Sequence, residues 1–163
     1  MKHAPEIWET LRRGIPKGRW IPLEEIYSIV ESGLTLAGPA PHTLIDPIHP
    51  DDLRRAVLTI LQEWWAPMIH DPVRLRHSGY QSYAILTICR MLYTLQHGAV
   101  VSKPAAARWA QAELDDRWSA LIDRALAWEV QREDVNQTLD FIQYTLERSR
   151  QVERYAWAAV RCH

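Results

Sequence analysis

The chain has 163 residues, of which 47% are hydrophobic and 24% charged, and this balance predicts one folded domain and excludes a disordered chain. There are 19 basic and 20 acidic residues, and the resulting net charge of −1 does not favour a nucleic-acid-binding protein, so we expect no DNA partner. No stretch approaches the ~18 uninterrupted apolar residues of a membrane span. The N-terminus is too charged for a signal peptide, and Cys89 and Cys162 lack a metal-binding spacing. We therefore expect a reduced cytoplasmic protein without a membrane partner.

Prolines and glycines punctuate residues 1–50 and predict an irregular N-terminal segment. Within it, Pro22 suits a first helical turn and Gly33 suits a helix end, which predicts one short helix over Pro22–Ser32. Thr35–Ala37 fits a short extended piece, and no other stretch has the pattern of a strand. Residues 51–163 are predicted to form the main domain.

Apolar residues spaced by three and four predict helices through the rest of the chain. The helix that Ser78 opens and Gly98 closes is apolar almost all round, so we place it at the centre. In the first helix we expect one member of the pair Trp64-Trp65 in the core and the other half exposed. The fold class is an all-α antiparallel bundle of five or six helices. The predicted helices begin at Asp51 or Asp52, at Ser78, after Ser102, at Asp116 (ending at Gln131) and at Asp134.

Lys103 occupies a position that folding alone does not favour. Ser102 suits a helix N-cap and Pro104 a first turn, so Lys103 lies at the positive end of a helix dipole. A phosphate would be bound there by free N–H groups and the ammonium together. The spacing also allows a purely structural Lys103, just as a carboxylate on a neighbouring helix would account for Arg90 on the central helix.

Several segments together resemble the C-terminal helical domain of the aminoglycoside adenylyltransferases, the streptomycin and spectinomycin nucleotidyltransferases. Their order and approximate spacing match from about Tyr27 to Trp128. The segments are Leu34–Pro39 (LTLAGP), Leu86–Tyr93 (LTICRMLY), Val101–Pro104 (VSKP) and Ala107–Ala110 (ARWA).

The resemblance implies one half of a two-domain enzyme. In the family, a nucleotidyltransferase half carries a Gly-Ser motif and an Asp-x-Asp pair for two magnesium ions, and the helical half closes over ATP and the drug. A drug hydroxyl attacks the α-phosphorus, and AMP is transferred. This sequence has no Gly-Ser followed by Asp-x-Asp. We therefore expect the helical domain alone, as a short natural protein or a truncated one. It should have no metal site or cofactor of its own and should be inactive by itself. We expect its partner to be a nucleotidyltransferase domain that brings ATP and Mg²⁺.

The resemblance also assigns site residues. Lys103 matches the lysine that reaches the ATP phosphates, and Trp128 lies near the position of the aromatic residue that frames the nucleotide. The positions of the family's drug-contacting acidic residues hold Arg76 and Tyr80 here, with Tyr83 close by. A dicationic drug prefers carboxylates, so streptomycin binding in the family's manner is not expected.

Arg90 and His97 support an alternative, because they fit the Arg-x(4–6)-His pattern of HEPN-type helical ribonucleases. In that chemistry the histidine is a general acid or base and the arginine stabilises phosphate charge, typically across a dimer. A further alternative is a helical partner of a separate nucleotidyltransferase that uses the same two residues. Equally, His97 fits a residue that the helix dipole favours just before Gly98.

Aromatic usage predicts a homodimer. The chain has 8 Trp and 6 Tyr against 1 Phe, so most of its large side chains combine an apolar ring with a polar group. Such residues are favoured at interfaces. An exposed aromatic patch of this kind would pair most simply about a two-fold axis.

Overall fold

The computed structural model describes residue 43 and residues 48–160, with side chains as far as residue 151. This part of the chain contains five α-helices and no strand, which confirms the all-α bundle. The helix predicted over Pro22–Ser32 and the extended piece predicted over Thr35–Ala37 lie outside the described residues. None of the helices in this part is long and apolar enough to cross a membrane.

The helices follow one another through short turns, several of them 3₁₀. The elements are α1 (Pro50–Ile60), a π-helical turn (Leu61–Trp65), 3₁₀ turns (Ala66–Ile69 and Val73–Arg76), α2 (Ser78–His97), α3 (Lys103–Glu113), a 3₁₀ turn (Asp116–Trp118), α4 (Ser119–Ala127), a 3₁₀ turn (Arg132–Asp134) and α5 (Val135–Val160).

Helix α2 is the centre of the bundle, as its apolar pattern predicts. It packs against α1, α3, α4 and α5, and most of its residues are buried. Ile85 and Ile88 of α2 are fully buried, and so are Leu121 of α4 and Phe141 of α5. Gly98 ends α2 in the left-handed conformation at φ 63°, which confirms the predicted helix end.

The start of α1 differs from the prediction, because neither Asp51 nor Asp52 is the N-cap. The cap position is His49 and the helix begins at Pro50, whose fixed φ and missing N–H suit a first turn. The two aspartates lie in that first turn instead and form ion pairs with Arg54 and Arg55, each three residues further on.

The single helix predicted over Asp116–Gln131 is wrong. The Asp115 carboxylate accepts a hydrogen bond from the backbone N–H of Arg117 at 3.0 Å and starts a 3₁₀ turn, after which α4 begins at Ser119. Helix α4 ends at Ala127 because Trp128 adopts the left-handed conformation. The 3₁₀ turn before Ser119 and the left-handed Trp128 therefore make this helix shorter than the spacing of its apolar residues predicts.

The tryptophan pair at the end of the first helical region behaves as predicted. Trp65 is fully buried in the core, whereas Trp64 is 45% exposed, with the guanidinium of Arg74 lying 4.8 Å from its ring centroid. The π-helical turn over Leu61–Trp65 precedes the 3₁₀ turns that lead to α2. One indole therefore stabilises the core while the other faces solvent.

Candidate functional site

Lys103 and Tyr83 form the contact around which the candidate site is built. Ser102 caps α3, its Oγ accepting a hydrogen bond from the backbone N–H of Ala105 at 3.4 Å, so Lys103 is the first helical residue, as predicted. The Lys103 Nζ lies 3.9 Å from the centroid of the Tyr83 ring on α2, a cation–π distance. Tyr83 is 42% exposed. The structure thus places Lys103, which was predicted to bind the nucleotide, against Tyr83, which was predicted to bind the substrate.

Tyr80 extends this contact along α2. Its ring centroid lies 5.7 Å from that of Tyr83, with the two planes tilted by 35°. The Tyr80 hydroxyl is buried and has no hydrogen-bond partner among the described residues. A buried hydroxyl without a partner loses about 1–3 kcal/mol. A hydrogen-bonding group supplied by a ligand, or by a residue outside the described part, would recover that energy.

Arg76 lies just before α2 and is tied to the segment between α4 and α5. Its carbonyl accepts a hydrogen bond from the Nε of Arg132 at 3.3 Å. Fully buried Gln81 fastens the same segment, because its amide donates to the carbonyls of Gln131 and Arg132 at 3.2 and 3.4 Å. The Thr138 hydroxyl donates to the Gln81 Oε1 at 2.9 Å. The start of α2 and residues 131–132 therefore form one connected end of the bundle.

Trp128 lies three residues before this fastened segment and is 63% exposed. Its φ of 58° and ψ of 31° are left-handed, the only positive φ outside glycine in the described chain. Non-glycine residues in that region cost about 1–3 kcal/mol. The Trp128 ring makes no aromatic or cation–π contact with Tyr80, Tyr83 or Lys103 in the part of the chain that the structure describes. The structure therefore presents this indole to solvent and does not bring it onto the Lys103–Tyr83 contact.

Tyr83, Arg90 and His97 follow one another at intervals of seven residues, so they lie along one face of α2. Arg90 is half-buried, and its guanidinium forms no ion pair or hydrogen bond with another described residue. The carboxylate that would explain Arg90 structurally is therefore absent from the described residues. This leaves Arg90 between the Lys103–Tyr83 contact and the end of the helix.

His97 packs in an aromatic cluster at the end of α2. Its ring centroid lies 4.3 Å from that of Tyr93 and 5.5 Å from that of Trp109, which meets it edge-on. Tyr93 and Trp109 also contact each other edge-on at 5.3 Å. No hydrogen bond joins His97 to Arg90 in the described chain. The pair that the ribonuclease alternative requires thus shares a helix face without forming a joined acid–base site.

The sequence matches the family model described as "Aminoglycoside adenylyltransferase, C-terminal domain" over residues 43–152. The chain belongs to this family. Three relatives named aminoglycoside (3'') (9) adenylyltransferase are similar to it: those of Klebsiella pneumoniae and Shigella flexneri are 28% identical over 119 residues, and that of Escherichia coli is 29% identical over 120. The matched part is 70% of this chain but 43% of each relative. The chain therefore spans less than half the length of these relatives.

The described part of this adenylyltransferase-family domain does not fit the magnesium ions that the resemblance implies. It contains no group of three or more His, Cys, Asp or Glu side chains able to hold a metal ion. Burial raises the pKa of the Cys89 thiol from 9.0 to about 12, which disfavours the nucleophilic thiolate form. The described residues around Lys103 instead offer cations, aromatic rings and amide groups.

Sequence reasoning missed Gln81, although the residue carries a usable signal. It is a polar side chain in a helix that is apolar almost all round, and buried amides in such positions need specific hydrogen-bond partners. The identity of those partners, the two carbonyls 50 and 51 residues further along, is set by the packing of α2 against the segment before α5. Only the structure shows this connection.

Proposed function

We propose that this domain is the helical half of an adenylyltransferase active site and binds the phosphates of a nucleotide at the α2–α3 face, which we define as Tyr83, Arg90 and Lys103. The observation that carries the proposal is the position of Lys103 at the start of α3, over the exposed ring of Tyr83. Membership of the adenylyltransferase family supports the same assignment. Trp128 is assigned to the nucleotide side, and Arg76, Tyr80 and Tyr83 to the acceptor side.

The electrostatics of α3 favour an anion beside Lys103. The first turn of the helix contains no acidic residue of its own that would offset the positive end of the helix dipole. A cation at this end costs about 0.3–1 kcal/mol, and a bound phosphate reverses that cost. Arg90 adds a second cation on the same side of α2. Charge-assisted hydrogen bonds of this kind contribute about 1.5–3 kcal/mol each.

The proposed reaction is transfer of AMP from ATP to an acceptor hydroxyl. The hydroxyl oxygen forms a bond to the α-phosphorus as the bond from that phosphorus to the leaving oxygen breaks, pyrophosphate departs, and the hydroxyl proton passes to a base. We assign the base and the Mg²⁺ ligands to a nucleotidyltransferase domain, on the same polypeptide or another. This domain's own residues hold the phosphates and the acceptor and close the site against water.

The domain alone is accordingly expected to lack transferase activity. Pure protein incubated with ATP, Mg²⁺ and streptomycin or spectinomycin should give no adenylylated drug by mass spectrometry. Detectable AMP transfer would overturn the division of roles between the two domains.

Calorimetric titration of the whole chain with a non-hydrolysable ATP analogue tests phosphate binding. Lys103→Gln should weaken the affinity about 10- to 100-fold, since one charge-assisted contact is removed. Arg108→Gln is the matched control, because Arg108 is an exposed cation five residues further along the same helix. Equal affinities for wild type and Lys103→Gln, or no nucleotide binding by the wild type, would refute the proposal.

A further inference from the structure

We infer that Arg124, which is not among the residues assigned to the site, is a positioning residue for Trp128. Its side chain holds the backbone of Trp128 in the left-handed conformation and thereby fixes the direction in which the exposed indole points. The inference rests on the proposed function, because Trp128 is assigned to the nucleotide side of the site.

Trp128 occupies a position where glycine is the usual residue. Its backbone N–H donates to the carbonyl of Ala125 at 3.2 Å, and the N–H of Glu129 donates to the carbonyl of Arg124 at 2.8 Å. These two bonds form a Schellman motif, in which the left-handed residue is usually glycine because a side chain is disfavoured there. The indole is 63% exposed, so its burial does not explain a tryptophan at this position.

Arg124 ties the end of α4 to the start of α5. Its Nε and Nη2 donate to the two carboxylate oxygens of Asp134 at 3.3 and 3.2 Å, and its Nη2 also donates to the Oε1 of Gln137 at 2.7 Å. We define these contacts as the Arg124 anchor. Paired bonds to one carboxylate fix a guanidinium in position and in orientation. The carbonyl of the same residue accepts the N–H of Glu129, so the anchor and the Schellman motif share Arg124.

The chain that follows Trp128 is held as well. The Asp134 carboxylate also accepts a hydrogen bond from the backbone N–H of Gln131 at 2.9 Å, and the Gln131 side-chain amide donates to the carbonyl of Glu129 at 2.9 Å. The carbonyl of Gln131 accepts a hydrogen bond from the buried Gln81 amide at 3.2 Å. The backbone is therefore fixed on both sides of the left-handed residue.

This arrangement is typical of a residue that is held for function. A strained conformation persists only where the surrounding structure determines it, and such residues cluster at binding and active sites. An exposed indole in a fixed position offers a flat face on which the base of a nucleotide can stack. A ligand binds more weakly when only a fraction of the molecules adopt the conformation that it requires. The Arg124 anchor therefore raises nucleotide affinity without contacting the nucleotide.

Arg124→Met tests the anchor, and Gln111→Met is the matched control. The Gln111 amide donates to the Asp123 carboxylate at 2.7 Å, so the control removes a polar contact from α4 without touching the Schellman motif. In Arg124→Met, exchange of the Glu129 amide hydrogen, measured by nuclear magnetic resonance without nucleotide, should be at least about fivefold faster. The affinity for the ATP analogue should fall about fivefold. Gln111→Met should match the wild type in both measurements, and Arg124→Lys, which keeps the charge, should lie between.

Trp128→Gly tests the strain without disturbing the anchor. Glycine adopts the left-handed conformation without a steric cost, and the exposed indole contributes little packing. The variant should therefore unfold at the same urea concentration as the wild type or at a higher one, while its affinity for the ATP analogue falls at least about fivefold. Unfolding at a lower urea concentration would show that Trp128 is structural, and unchanged affinity would show that its indole does not face the nucleotide. Either result would overturn the inference.

The remaining outcomes separate this inference from the proposed function. Unchanged exchange in Arg124→Met, or equal effects of Arg124→Met and Gln111→Met, would show that the guanidinium does not position Trp128. Intact nucleotide binding by the wild type with unchanged affinity in Arg124→Met overturns this inference alone. A wild type that binds no nucleotide overturns the proposed function, and the exchange comparison then still decides whether Arg124 holds Trp128.

Discussion

Replacing Gly98 by alanine should strongly destabilise the bundle where the end of α2 packs against the start of α1. Gly98 has a φ of 63°, and an added Cβ would lie 2.5 Å from the Cβ of Pro50 and 2.9 Å from the Nη2 of Arg54. The left-handed backbone costs about 1–2 kcal/mol for a residue with a side chain, and overpacking adds about 1–3 kcal/mol. The Arg54 guanidinium cannot move without cost, because its Nε donates to the carbonyl of Leu95 at 3.0 Å. The two costs together give an expected loss of about 2–5 kcal/mol in the free energy of unfolding.

The same substitution at Gly79 should change the free energy of unfolding in the opposite direction. A Cβ added there meets no atom within 4 Å, and the residue lies in the first turn of α2. Gly79→Ala should therefore stabilise by up to about 0.5–1 kcal/mol, because alanine loses less backbone entropy in a helix. Urea unfolding followed by circular dichroism measures both free energies. A Gly98→Ala variant within about 0.5 kcal/mol of wild type, or equal shifts in both variants, would show that the bundle accommodates a Cβ at residue 98.

Three further predictions follow from the described geometry. Because burial raises the pKa of Cys89 from 9.0 to about 12, the thiol should resist Ellman's reagent in the folded protein, and rapid labelling at pH 8 would contradict this. The free energy of unfolding should also fall as pH rises from 9 to 12, because the thiol ionises in the unfolded chain before it ionises in the folded one. Arg90→Gln should weaken nucleotide binding about tenfold while His97→Gln leaves it unchanged, and RNA cleavage lost in both variants would favour the ribonuclease alternative instead. Sedimentation at tens of micromolar should show a dimer, since Trp64, Val73, Tyr83 and Trp128 are large exposed hydrophobic residues, and a monomer would refute the interface prediction.

Much of the fold was predictable because its signals are local. The central position of α2 follows from apolar residues on all its faces, and its end follows from Gly98. The errors lie at helix ends, where Pro50 moved the start of α1 and the left-handed Trp128 ended α4 early. An aromatic residue is a poor candidate for that conformation, so composition gave no warning of it.

The candidate site was predictable only as separate residues. The cap at Ser102 and the position of Lys103 follow from sequence, but the contact between Lys103 and Tyr83 depends on how α3 crosses α2. Arg76 and Arg132 are distant in sequence and meet because buried Gln81 fastens the segment that carries Arg132. Such contacts are products of tertiary packing, which helical periodicity does not encode.

Binding of a nucleotide at the α2–α3 face is tested most directly by ¹H–¹⁵N nuclear magnetic resonance of the whole chain during titration with the ATP analogue. We expect the largest shifts at the backbone amides of Tyr83, Arg90 and Lys103 and at the indole of Trp128. Lys103→Gln should require about 10- to 100-fold more analogue to produce the same shifts, whereas Arg108→Gln should titrate like the wild type. Shifts confined to other parts of the bundle, or shifts that reach half their size at the same analogue concentration in Lys103→Gln and wild type, would contradict nucleotide binding at this face.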